Sequence, residues 1–118
     1  MTDGELRIDD LNQAVRSLLD TARGSKAQRA ASTLYGGRET VLRQTALALL
    51  AGAELAEHES PPEATVHVLH GRIVVRGIDR EWELVAGELM PIPPERHSVA
   101  AIQDSVFLLS VVRASAPA

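Results

Sequence analysis

The chain has no cysteine. Disulfides, thiolate metal sites and a cysteine nucleophile are excluded together, and any metal would have to be held by His, Asp, Glu or water. Aromatic residues are nearly absent: Tyr35, Trp82 and Phe107 are the whole set. A core must therefore be filled by Val, Leu, Ile and Ala. No apolar run reaches membrane-spanning length, and the first ten residues, MTDGELRIDD, lack the basic and apolar segments of a secretion signal. The expectation is a soluble cytoplasmic protein with no membrane partner. Excess positive charge is missing too. The formal net charge is −4 and the basic residues are scattered singly, which gives no attraction to a phosphate backbone. Nucleic acid is not expected as a partner.

What is present suits one globular domain: 118 residues, 45% of them apolar, can bury a single core. Asp9 or Asp10 can cap a helix in which Leu11, Val15, Leu18, Leu19 and Ala22 recur at helical spacing, with Gly24 available to end it. The stretch GSKAQRAAST (24–33) is short of large apolar residues and reads as a connector. From there, Val-, Leu- and Thr-rich segments alternate with Gly, Pro and charged turns, the pattern of an all-β sandwich or barrel. Strands are predicted near 32–35, 39–50, 54–58, 64–70, 72–76, 81–85, 89–92, 97–101 and 105–113. Residues 41–49, VLRQTALAL, also suit a helix by Ala and Leu content, but the flanking GG and AG favour strand. The division expected is 1–31 for helix and connector and 32–118 for the barrel. The segments TALALL (45–50) and VFLLSVV (106–112) supply more apolar surface than a thin barrel hides. A homodimer, or the N-terminal helix, would cover it.

Two segments carry a further pattern. GAELAEHESPPEATVHVLHGRIVV (52–75) has a glycine, then a histidine, then a strand ending in VLHG; WELVAGELMPIPPERHSVAA (82–101) has a glycine, an acidic residue, PIPP and a histidine. Together they cover 44 of the 118 residues and resemble the cupin superfamily. The resemblance implies an all-β fold, a double-stranded β-helix or jelly-roll barrel, here with an N-terminal α-helix. It also implies a barrel mouth where metal-binding members place two histidines and a glutamate from the first motif and one histidine from the second.

Carried over position by position, the first histidine falls on His58 and the last on His97. The second histidine position holds Ser60. The glutamate position holds Ala64, with Glu63 beside it and, by strand alternation, turned away unless a bulge rotates it back. The candidate metal ligands are thus His58, His97 and Glu63, for a divalent transition metal. The other reading is a pocket in which the histidines bond to each other, to Ser60 or to water. His67 shares the face of Thr65 and Leu69 and is expected to point away from the interior; His70 sits at a strand end. Arg43 and Gln44 are adjacent in an otherwise apolar strand, so one of them should face inward. Gln44 is taken as the pocket candidate and Arg43 as a surface charge. Trp82 reads as core filling. Ser60, Ser98 and Ser105 have no identifiable base.

The pocket residues expected are therefore His58, Ser60, Gln44 and His97. Two functions fit: a cupin barrel that binds a small-molecule ligand with an incomplete metal-ligand set, as a sensor or accessory protein, or a metal-dependent enzyme of the dioxygenase or isomerase kind using His58 and His97. A third reading is a dimeric assembly module.

Overall fold

The computed structural model describes residues 6–58 and 60–113. One helix, α1 (Leu11–Arg23), precedes nine strands: β1 (Arg29–Tyr35), β2 (Leu42–Leu49), β3 (Glu54–His58), β4 (Glu63–His70), β5 (Arg72–Arg76), β6 (Glu81–Val85), β7 (Leu89–Pro91), β8 (His97–Ala101) and β9 (Ser105–Val112). They form two antiparallel sheets, ordered β1-β2-β9-β4-β7 and β3-β8-β5-β6. The sheets face each other across a core of Leu49, Val66, Val68, Ile73, Val75, Leu84, Val99 and Phe107. This is the all-β barrel with an N-terminal helix that the strand spacing predicts.

The helix starts where its cap requires. Asp10 accepts hydrogen bonds from the Asn12 and Gln13 amides, satisfying two donors that the first turn leaves unpaired. Its apolar stripe, Leu18, Leu19 and Ala22, is buried against Ala46, Ala48 and Val106 on the outside of the larger sheet. The TALAL run is therefore strand, with its alternation split between two cores: Ala46 and Ala48 face the helix, while Leu47 and Leu49 face the barrel interior. In β9, Val106 and Leu108 lie beneath the helix, and Phe107 and Leu109 face inward. The apolar face that suggested a second subunit is covered by α1 of the same chain, so it supplies no argument for a homodimer.

Two strand starts differ from expectation by three residues: β2 begins at Leu42 rather than at 39, and β1 begins earlier. The segment 29–31, expected to be connector, is the start of β1, where Arg29, Ala30 and Ala31 pair with Leu49, Ala48 and Leu47. Small residues hide this strand from a reading by apolar size. They serve because α1 lies close over it, with Ala30 packed against the helix-side core.

The turns lock the sheets together. Gly71, between β4 and β5, has φ +85°, and a Cβ there would overlap the Asp104 carbonyl and the Ser105 hydroxyl, with Ser105 Cα at 2.9 Å. Ser105 is fully buried. Its hydroxyl accepts from the Arg72 amide at 2.9 Å and reaches the carbonyls of Gln103 and Arg72, so it is a structural group. Arg113 closes the loop between β1 and β2 by donating to the carbonyls of Gly37, Arg38 and Thr40.

A paired substitution separates the two constraints on Gly71. Gly52 has φ +88° but open space around it. Gly52→Ala is expected to cost about 1–3 kcal/mol for the backbone conformation alone. Gly71→Ala should cost clearly more in a denaturant-unfolding comparison, because the 104–105 backbone must also move. Equal losses would mean that the close approach carries no energy.

Candidate functional site

His58 and His97 meet at the open end of the barrel. The route by which they meet is a departure from alternation. Leu55 pairs with Val99 and His58 with His97, so β3 uses three residues where β8 uses two. The extra residue is a β-bulge, which turns the following side chain onto the other face. Leu55 packs against the barrel core and Glu57, two residues on, is exposed. After the bulge, His58 stands beside His97 on the interior side. The ring centroids are 4.4 Å apart with the planes at 62°, an edge-to-face contact.

The two rings are anchored in the same way. His58 Nδ1 lies 3.0 Å from the Ala56 carbonyl and His97 Nδ1 lies 2.9 Å from the Glu95 carbonyl. A carbonyl can only accept, so each Nδ1 is the protonated nitrogen and each Nε2 is left free. His97 is 3% exposed, whereas His58 is open to solvent. Ser60 joins them in a cavity of about 280 Å³ whose other walls are Pro61, Ile92, Leu109 and Val111.

Glu95 holds the His97 side of this arrangement. Its carboxylate accepts from the Ile78 amide at 2.7 Å and from Arg80 at 2.9 Å, tying the β5–β6 turn to the segment that enters β8. The Ile78 N–H and the Arg80 guanidinium hold the Glu95 carboxyl below its ordinary value of 4.5, against partial burial that pushes it up. Gly77 makes room for this: a Cβ there would overlap Glu95 Oε2 and stand 3.1 Å from Cδ. Arg80 also lies 4.8 Å over the Trp82 ring, whose other contacts are with the barrel core.

Two of the expected site residues are elsewhere. Gln44 faces outward: it shares the face of Ala46 and Ala48, and its amide donates to Ser110 Oγ at 3.1 Å. It lines a separate cleft of about 360 Å³ with Arg7, Asp9, Leu11, Leu34, Tyr35 and Leu108. Of the adjacent pair it is Arg43, in step with Leu47 and Leu49, that lies on the interior face. Glu63 is exposed and lies on the face opposite Ala64, which packs into the core; no bulge in β4 turns it back between these two residues and β9. His67 pairs with Leu108 and Leu89 on the outer face, and His70 is exposed at the end of β4.

Among the described residues the donor set is short of a metal centre. Among the described residues no group of three or more His, Asp or Glu side chains converges, and Ser60 Oγ is engaged with the Pro61 carbonyl at 3.1 Å. Glu59 lies outside the described residues. The cavity walls Ile92, Leu109 and Val111 were not anticipated as pocket residues; their alternation on β9 and their place after the PIP turn are the signals that mark them.

Comparison with known proteins places the fold. No family model matches the chain, and no curated protein matches it. Among solved structures, a conserved protein of unknown function from Streptococcus pyogenes superposes with a TM-score of 0.72 at 23% identity, covering 94% of this chain and 90% of that one. A cupin superfamily protein from Desulfitobacterium hafniense gives 0.65 at 16% identity, over 72% of this chain and 77% of that one. An HTH_3 family transcriptional regulator from Vibrio cholerae gives 0.63 at 24% identity, over 74% of this chain and 52% of that one. The fold is that of the cupins.

Acid titration tests the role of Glu95. Its carboxyl is depressed in the folded state, so its stabilisation is fully present above the unfolded value and is lost as pH falls through the folded one. Unfolding free energies measured from neutral pH downward should decline through and below pH 4.5. Glu95→Gln should flatten that part of the decline while lowering stability at neutral pH. An unchanged acid profile in the variant would show that another carboxylate dominates.

Proposed function

We propose, from the premise that the chain is a cupin-fold barrel, that it binds a small molecule in the cavity beside His58 and His97 and serves as a sensor or accessory protein. The observation that carries this reading is the cavity itself: a space of about 280 Å³, mostly apolar in its walls, with two fixed imidazoles and one hydroxyl at one side. Concave sites of this build, apolar with a few convergent polar groups, favour a small organic ligand oriented by hydrogen bonds. The Vibrio cholerae regulator supports the sensor role by analogy of fold alone. Nucleic acid and membrane are not partners in this reading. Among the described residues no helix is long and apolar enough to cross a membrane.

A second reading, a metal-dependent enzyme using His58 and His97, rests on one specific observation. Metal-ligating histidines commonly donate their other ring N–H to a carbonyl, and both histidines here do so. Two imidazoles alone, with Glu63 turned away, do not make the closed or three-ligand site that holds a metal firmly. No catalytic step is assigned to it.

Elemental analysis of tag-free protein separates the two. The binding reading expects well under one transition-metal ion per chain, and both imidazoles in the Nδ1–H form by long-range ¹H–¹⁵N NMR at mildly alkaline pH. Near-stoichiometric metal that is lost in His58→Ala and in His97→Ala would replace it with the enzyme reading.

A further inference from the structure

We infer that the ligand is a small monocarboxylate with an apolar body, its charged end held by Arg43 on the wall opposite the histidines. The inference rests on the binding reading of the cavity and adds the chemical class of what it takes.

The placement follows from register. On β2, Arg43 is in step with Leu47 and Leu49, which pack into the barrel core. Its Cα partner is Val111 on β9, and Val111 in turn faces Ala64 on β4. Val111 lines the cavity. Directly opposed residues on one sheet face have Cβ atoms about 4.5–5.5 Å apart, so the long Arg43 side chain rises from the interior face beside a cavity wall. Thr45, the next residue on that face, is paired in the same way with Leu109, another wall residue.

Among the described residues the charge at this spot is not compensated. Among the described residues Arg43 takes part in no ion pair and no side-chain hydrogen bond, and it is exposed. Of the described acidic residues near the mouth, Glu57 is paired with Arg96 at 2.8 Å and Glu63 lies on the other face of its strand. A guanidinium presents a planar fork that matches one carboxylate with two parallel hydrogen bonds. The next cation along β9, Arg113, is committed to the Gly37, Arg38 and Thr40 carbonyls, so a phosphate dianion would bring a second charge that Arg43 alone does not meet, against walls of Leu109 and Val111. One cation beside apolar walls selects a monoanion with an apolar body.

The test uses the full chain and two isosteric probes, hexanoate and neutral hexanamide, followed by ¹H–¹⁵N NMR titration. Hexanoate is expected to bind at least about tenfold more tightly than hexanamide, the difference of one charge-assisted hydrogen-bond pair, and to shift the amides of Leu109 and Val111. Arg43→Gln should reduce hexanoate to the level of hexanamide and leave hexanamide unchanged, while Arg43→Lys should retain part of the preference. Among the described residues the side chain has no ion-pair or hydrogen-bond partner, so the unbound spectrum should stay native in both variants. Equal affinity for the two probes, or a carboxylate preference that survives Arg43→Gln, overturns the inference but leaves the cavity as a ligand site. If neither probe shifts a cavity residue, the cavity reading falls with it.

Discussion

The two strands at the centre of the larger sheet must be buried on both faces. β2 and β9 lie between the barrel core and α1, so the positions from Ala46 to Leu49 and from Val106 to Leu109 belong alternately to two packed layers. This requirement accounts for the composition. A sheet covered on one side by a second sheet and on the other by a close helix can use Ala toward the helix and Leu, Val or Phe toward the interior, and it has little room for aromatics. Ala46, Ala48 and Ala22 are fully buried where helix and sheet approach. A bulkier residue at any of them would push α1 away and open the only cover that this face has among the described residues.

The same double burial defines the site by where it stops. Toward the start of β2 and the end of β9 neither layer is complete. The core-facing positions become Thr45 and Arg43 across from Leu109 and Val111, and the helix-facing ones become Gln44 and Ser110. Polar residues appear on both faces at the same end of the same two strands. On the outer face they bond to each other. On the inner face Thr45 and Arg43 stand across from Leu109 and Val111, two of the walls of the cavity beside the histidines.

Much of this was legible in the sequence because it rests on period and turn chemistry. All nine strands fall within a few residues of the segments marked by alternation and by Gly or Pro, and Asp10 and Gly24 bound the helix as a cap and a stop should. What escaped has local causes. The first residues of β1 are small because a helix covers them, and small residues look like a linker. Gln44 was assigned to the wrong face because two adjacent polar residues leave the phase undecided; only the knowledge that Leu47 and Leu49, rather than the alanines, face the barrel fixes it. Glu63 obeys alternation and stays outside. His58 breaks alternation through a bulge between Leu55 and itself, which no residue type in LAEH announces. The cupin-like spacing brought His58 together with His97 where period alone would have set them on opposite faces.

The two histidines owe their orientation to one device used twice: a ring nitrogen bonded to the carbonyl two residues earlier, once in β3 and once at the entry to β8. With Nδ1 as the donor, Nε2 is the acceptor on each ring in its neutral form, and the edge-to-face contact restricts how either can turn. These acceptors come from the smaller sheet. Arg43, on the inner face of the larger sheet, is a donor only, and among the described residues it has no ion-pair partner; in the proposed reading it complements the histidines. Apolar side chains from β9 and the segment after β7 lie between them. In the proposed reading, a ligand would set its acceptor end at the larger sheet and any donor toward the Nε2 atoms of neutral imidazoles. Orientation of this kind needs no metal: it follows from which atoms of each wall can give a hydrogen bond and which can only take one.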